Sequence, residues 1–199
     1  SLAAFDLDDY VVQIGKVAAN ANTTQEIADF AVRWLYENMR LKDGSPACAF
    51  TRFFRTISFE RLRSDLKSQL VEQLGSAPQA HVKCLTLMSG CGESDYSNTT
   101  CIPLDSQNLS QKVPMISLIV KALGLASNKI VSADPGIFID PDKKKYSVFH
   151  MDNLSASPFL GIESVMAFGA YLPSGDFFAT MMMLKVKISI EKAEEDRKS

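Results

Sequence analysis

Two apolar runs near the end of the chain, residues 163–172 and 177–190, are separated only by Pro173-Ser174-Gly175-Asp176. Proline presets the φ that opens a turn and glycine tolerates the φ that closes one, so this interval reads as a tight hairpin turn. Strands joined so closely must run antiparallel, because a parallel pair needs a crossover of a dozen residues or more. The feature therefore commits the chain to an antiparallel sheet. Helical patterns elsewhere must pack on that sheet, which gives the α+β class, a central antiparallel sheet flanked by helices on one or both faces.

Those helical patterns come first in the chain. Leu7, Tyr10, Val11, Ile14, Val17, Ala18 and Ala21 recur at helical spacing and predict an amphipathic helix over 6–21. Thr23-Thr24-Gln25-Glu26 then offers a capping box, ahead of a second stripe of Ile27, Phe30, Ala31, Trp34, Leu35 and Met39. Residues 47–57 are rich in aromatic and β-branched side chains and read as a strand. Leu62, Leu66, Leu70, Val71 and Leu74 predict a helix closed by Gly75. A strand over 82–88, a polar loop over 89–101 and a helix from Pro114 to Gly124 follow. Three strands, near 146–151, 163–172 and 177–190, complete the order α-α-β-α-β-α-β-β-β. Residues 1–46 form the N-terminal helices, 47–190 the sheet, and 191–199 a charged linker.

Charge and composition narrow the function classes. Against 21 Lys+Arg stand 23 Asp+Glu, a net charge of −2, which leaves no basic footprint for nucleic acid. No apolar run approaches the roughly 20 residues that span a bilayer, so no membrane insertion is expected. The chain opens on Ser1-Leu2-Ala3-Ala4-Phe5, without an initiator Met, and reads as a piece of a longer protein. Four cysteines, Cys48, Cys84, Cys91 and Cys101, are too few for a disulfide scaffold in a chain this long and read as reduced thiols of a cytoplasmic protein.

Candidate chemistry is sparse. His81 and His150 are the two histidines, and no cysteine or histidine spacing suits a metal. No nucleophile–base arrangement or phosphate-cradling loop stands out. Arg52 interrupts an otherwise apolar strand, and a charge in a sheet must be paired or meet a ligand. Asp152 or Glu163 would serve as a structural partner. Met166, Met181, Met182 and Met183 suit a core, or a pliable apolar pocket.

The run Ala47-Cys48-Ala49-Phe50-Thr51-Arg52-Phe53-Phe54-Arg55-Thr56, with Tyr146-Ser147-Val148-Phe149-His150-Met151, Ser155-Ala156-Ser157-Pro158 and the whole of 163–179, resembles a GAF-like sensor group. The group sits upstream of PAS, histidine-kinase or serine-phosphatase modules in bacterial signalling proteins. The abrupt link at 158–162 departs from the group's pattern. The resemblance implies a regulatory domain, without catalytic activity of its own, that binds an unknown small molecule, forms a homodimer through its terminal helices and relays its state to an output domain. No particular cofactor is implied.

It also implies a pocket between one sheet face and the segments that cross it, here 89–112, the helix from Pro114 and 126–145. Strand alternation puts Cys48, Phe50, Arg52 and Phe54 on one face, and Ala49, Thr51 and Phe53 on the other. The expected site is therefore Phe50, Arg52 and Phe54, with His150 as a second polar contact if its strand lies alongside, and Met115 or Tyr171 closing the cavity. Two alternatives stand beside it. One is a ligand-free dimerisation module. The other is a free methionine sulfoxide reductase, a GAF-fold enzyme type whose cysteines occupy the region of Cys84, Cys91 and Cys101.

Overall fold

A computed structural model describes residues 2–3, 7–92, 101–104, 147–152, 161–171 and 176–188. These contain helices α1 (Leu7–Asn20), α2 (Thr24–Asn38) and α3 (Ser64–Leu74). The strands are β1 (Cys48–Ser58), β2 (Lys83–Gly92), β3 (Cys101–Pro103), β4 (Ser147–Asp152), β5 (Ser164–Tyr171) and β6 (Phe177–Leu184). The expected helix from Pro114, with Met115, and the linker over 191–199 lie outside the described residues.

The hairpin reading holds at the level of pairing. β5 and β6 run antiparallel from Ser164↔Leu184 to Tyr171↔Phe177. All six strands form one antiparallel sheet in the order β3-β2-β1-β6-β5-β4. The run 177–190 pairs only as far as Leu184, because its neighbours end there: Cys48 begins β1 and Ser164 begins β5, and both face Leu184. β2 continues beyond the expected 82–88 to Gly92, and the loop assigned to 89–101 gives way at its end to β3, whose three residues are too few to show alternation.

Local signals account for the helix ends. The Thr23 hydroxyl accepts the Glu26 amide at 3.2 Å, as the capping box requires. Glu26 returns one residue further than that motif prescribes, accepting from the Asn22 amide at 3.1 Å. α3 ends on Gly75, whose φ of 75° is the left-handed cap that glycine accommodates without strain.

β6 shows how the sheet divides its neighbours. Phe178, Thr180, Met182 and Leu184 alternate with Phe177, Ala179, Met181 and Met183. The first set faces the helices: Met182 and Leu184 pack with Leu35, Met39 and Tyr10, whose ring lies 5.0 Å from that of Trp34. Phe178 stacks on Phe53 at 5.6 Å, beneath Ala28, Ala31 and Val32 of α2. Thr51 on this face donates its hydroxyl to the Val32 carbonyl at 2.8 Å. Further along, Leu66 and Leu70 of α3 pack on Ile57, Cys84 and Cys101; Ile57 shares the parity of Phe53, so α3 sits on the helical side too. The second set forms the opposite core with Phe50, Phe54, Leu85, Val165 and Ala167, joined by Leu104 and Ile162. Among the described residues, then, helices cover one face alone.

The expected alternation of β1 breaks at its first residue. Cys48 pairs with Leu184 and Phe50 with Met183, so Ala49 is an extra residue in the ladder. Such a bulge displaces the parity of what precedes it. Cys48 consequently packs with Met39 and Leu184 under the helices, and not beside Phe50. A second bulge, at Met88 of β2, lies opposite Phe53 and Phe54.

Candidate functional site

The face that no described helix covers holds three of the expected site residues. Phe50 and Phe54 are buried on it, two positions either side of Arg52. Arg52 is half-buried, with its guanidinium carbon 5.0 Å from the centre of the Phe50 ring. A cation over an aromatic face is held by the ring quadrupole, worth roughly 0.5–2 kcal/mol according to desolvation. Gly90 stands opposite Arg52 on β2, and a Cβ built there would lie 3.7 Å from Arg52 Cγ, in ordinary contact. The arrangement is a donor fork set against apolar and aromatic walls, a combination suited to binding a polar or anionic group.

Two expected residues fall elsewhere. Arg52 pairs with Met181, Met181 with Ala167 and Ala167 with Phe149, so Phe149 ends its row. His150 ends the neighbouring row, that of Thr51, Met182 and Met166. β4 does not lie alongside β1: β6 and β5 intervene, and three strand spacings make about 14 Å. His150 is thereby removed from the Arg52 contact. Tyr171 pairs with Phe177, four residues along β6 from Met181, or about 13 Å at the strand rise. Its position is at the hairpin end of the sheet, away from that of Arg52. Met115 lies outside the described residues.

A polar cluster that sequence reasoning missed lies at that hairpin end. Asp176, read as a turn residue, is only 1% exposed. Its carboxylate accepts from Arg55 Nη2 at 2.9 Å and Lys83 Nζ at 2.7 Å, with Arg61 Nη1 at 3.8 Å. Arg55 also donates to the Thr24 hydroxyl at 3.1 Å, tying the start of α2 to the sheet. Burial pushes the Asp176 carboxyl up, but the hydrogen bonds and charges of Lys83 and Arg55 outweigh it and hold the group below the usual carboxylate range. The available signal was parity: Arg52 and Arg55 are three apart and cannot share a face, so the strand had two charges to satisfy.

The thiols are distributed unevenly. Cys84 and Cys101 are buried side by side on β2 and β3, beneath α3. Cys48 is buried under α2, where loss of water pushes its thiol up to about 12. Cys91 is half-buried; partial burial and then the Glu37 carboxylate raise its thiol as well. No group of three or more His, Cys, Asp or Glu side chains is placed to hold a metal among the described residues. Among the same residues, no helix is long and apolar enough to cross a membrane.

Comparison with protein-family models, curated proteins and solved structures returns no match. The functional reading rests on the geometry and the sequence.

Proposed function

We propose that this chain is a GAF-like sensory module that binds a small polar or anionic molecule on the Arg52 face and relays its state to an output domain. The observation that carries the reading is the half-buried Arg52 guanidinium held over Phe50, on an apolar sheet face, while all three described helices occupy the other side. β6 supplies the relay. Met181 belongs to the ligand face and Met182, the next residue, belongs to the core beneath α1 and α2. A ligand that prefers one setting of β6 shifts the helix arrangement by its differential affinity for the two settings. Pairing of two copies through terminal helices is part of the proposal. Tyr10 and Ile14 of α1 pack within their own chain, and Val12 is exposed on that helix.

The reductase reading finds less support, because a substrate of methionine size must reach an attacking thiolate. Cys84 and Cys101 are closed to such a molecule, and the more accessible Cys91 has its thiol raised. A thermal-shift screen of anionic metabolites on the wild type and on Arg52→Ala tests the proposal. The expected result is a compound that stabilises the wild type and loses most of its shift in the variant. A shift retained in full by Arg52→Ala assigns that side chain to structure alone.

A further inference from the structure

The antiparallel register sets Cys84 opposite Pro103 and Thr86 opposite Cys101, so the two cysteines are diagonal neighbours on adjacent strands. Diagonal neighbours on one face of a sheet lie about 7–8 Å apart, with their Cβ atoms somewhat closer, so a bond between two cysteines placed this way draws the shorter strand toward its neighbour. Both belong to the apolar cluster that Leu62, Leu66 and Leu70 close. The Cys84 thiol donates to the Val82 carbonyl at 3.8 Å, and the Thr86 hydroxyl lies 3.5 Å from the Cys101 sulfur. Neither remaining cysteine has such a partner arrangement: Cys48 meets the Met39 thioether at 3.9 Å, and Cys91 lies near Arg33 and Glu37.

We propose that Cys84 and Cys101 are an oxidisable dithiol that closes to an intramolecular disulfide between β2 and β3 when the chain meets hydrogen peroxide. The roles of the two sulfurs follow from their surroundings. The neighbouring Cys84 thiol first, and the Thr86 hydroxyl after the opposing effect of burial, hold the Cys101 thiol below its ordinary range. Cys101 is thus the attacking thiolate and Cys84 the resolving thiol. Cys101 sulfur attacks a peroxide oxygen, the S–O bond forms as the O–O bond breaks, and the departing hydroxide becomes water on protonation. Cys84 sulfur then attacks the sulfenic sulfur; the S–S bond forms, the S–O bond breaks, and hydroxide leaves with the Cys84 proton as a second water. Two thiols and one peroxide give one disulfide and two waters, with the sulfurs oxidised by two electrons and the peroxide reduced. Peroxide is of about the size of water, so local opening of β3, three residues long, gives it an entry that larger oxidants lack. The link would tie that short strand to β2 and enclose residues 85–100 in a covalent loop, which restricts the unfolded chain.

The proposal is independent of any ligand on the Arg52 face. Its test is a peptide map of the folded, reduced full chain after brief hydrogen peroxide treatment, alkylation and digestion without reductant. The expected product has lost two hydrogens, returns to its starting mass with dithiothreitol, and yields a peptide joining Cys84 to Cys101. Cys91→Ser retains the product, whereas Cys84→Ser and Cys101→Ser each abolish it. If those two variants fail to fold, the wild-type map decides alone. Four alkylatable thiols after peroxide, a link through Cys48 or Cys91, or Cys101 as sulfinic acid beside a free Cys84 would each overturn the assignment.

Discussion

The two faces of this sheet are built from alternate residues of the same strands, yet they serve different ends. On the helical face, Thr51, Phe53, Met182 and Leu184 meet side chains of α1 and α2, and the one hydroxyl among them is satisfied by a helix carbonyl. The other face is equally apolar, but it admits a guanidinium two residues from each of two phenylalanines. The helical face stabilises the fold. Each face carries one arginine of β1: Arg55 on the helical side is tied to Thr24 and Asp176, whereas Arg52 on the second face lies over the Phe50 ring, which makes that face the candidate for binding.

The comparison depends on β6 being fixed between the faces, and Asp176 fixes its first end. Asp176→Ala leaves Arg55 and Lys83 partly buried without their carboxylate. The expected loss is about 3–5 kcal/mol, seen as a fall in melting temperature of about 10 °C for a chain of this size. The same pairs give a pH signature. Because the folded carboxyl lies below its unfolded value of roughly 3.9, the stabilisation is complete above about pH 4 and is lost as pH falls through the folded value. Urea titrations from neutral to acid pH should show this loss in the wild type and a shallower one in Asp176→Asn. Equal slopes would remove Asp176 as the anchor.

A sharper probe uses neighbouring residues. Met182→Ala opens a cavity under the helices and should cost about 2–5 kcal/mol, measured by chemical denaturation. Met181→Ala should cost less, and it should weaken any ligand that Arg52 recognises. Equal costs, with ligand binding untouched, would make both faces ordinary core and break the comparison. A smaller effect, about 1–3 kcal/mol, is expected from Gly169→Ala. A Cβ there would meet the Phe178 carbonyl oxygen, and would lie 2.5 Å from the Phe177 ring. Stability unchanged in that variant would show that the Phe178 backbone and the Phe177 ring both give way without cost.

Much of this architecture was legible because its signals are local. The capping box at Thr23 and the glycine at position 75 each specify backbone geometry within a few residues and each corresponds to a helix end, and the short interval 173–176, most of it outside the described residues, joins strands that pair antiparallel. The face of Cys48 was not legible, since a bulge at Ala49 depends on the register of a partner strand more than 130 positions away. Strand order was hidden for the same reason. Of the six expected site residues, Phe50, Arg52 and Phe54 were identified together by parity along a single strand. Parity says nothing about which strands are neighbours, and so it could not separate His150 and Tyr171 from them. Asp176 escaped notice because a carboxylate beside a turn has an ordinary solvent-exposed explanation, whereas its cations come from β1, β2 and the turn before α3.

The unequal edges of the sheet have a consequence for how the molecule meets other chains. β3 offers three residues, one of them Pro103, which has no amide hydrogen to give. An edge so short and so poor in donors is a bad template for an incoming strand. β4 at the other side has six residues and no proline in its sequence, and among the described residues it has a partner on one side only. Among the described residues, strand-by-strand growth of this sheet is therefore directional, disfavoured at β3 and favoured at Ser147–Asp152.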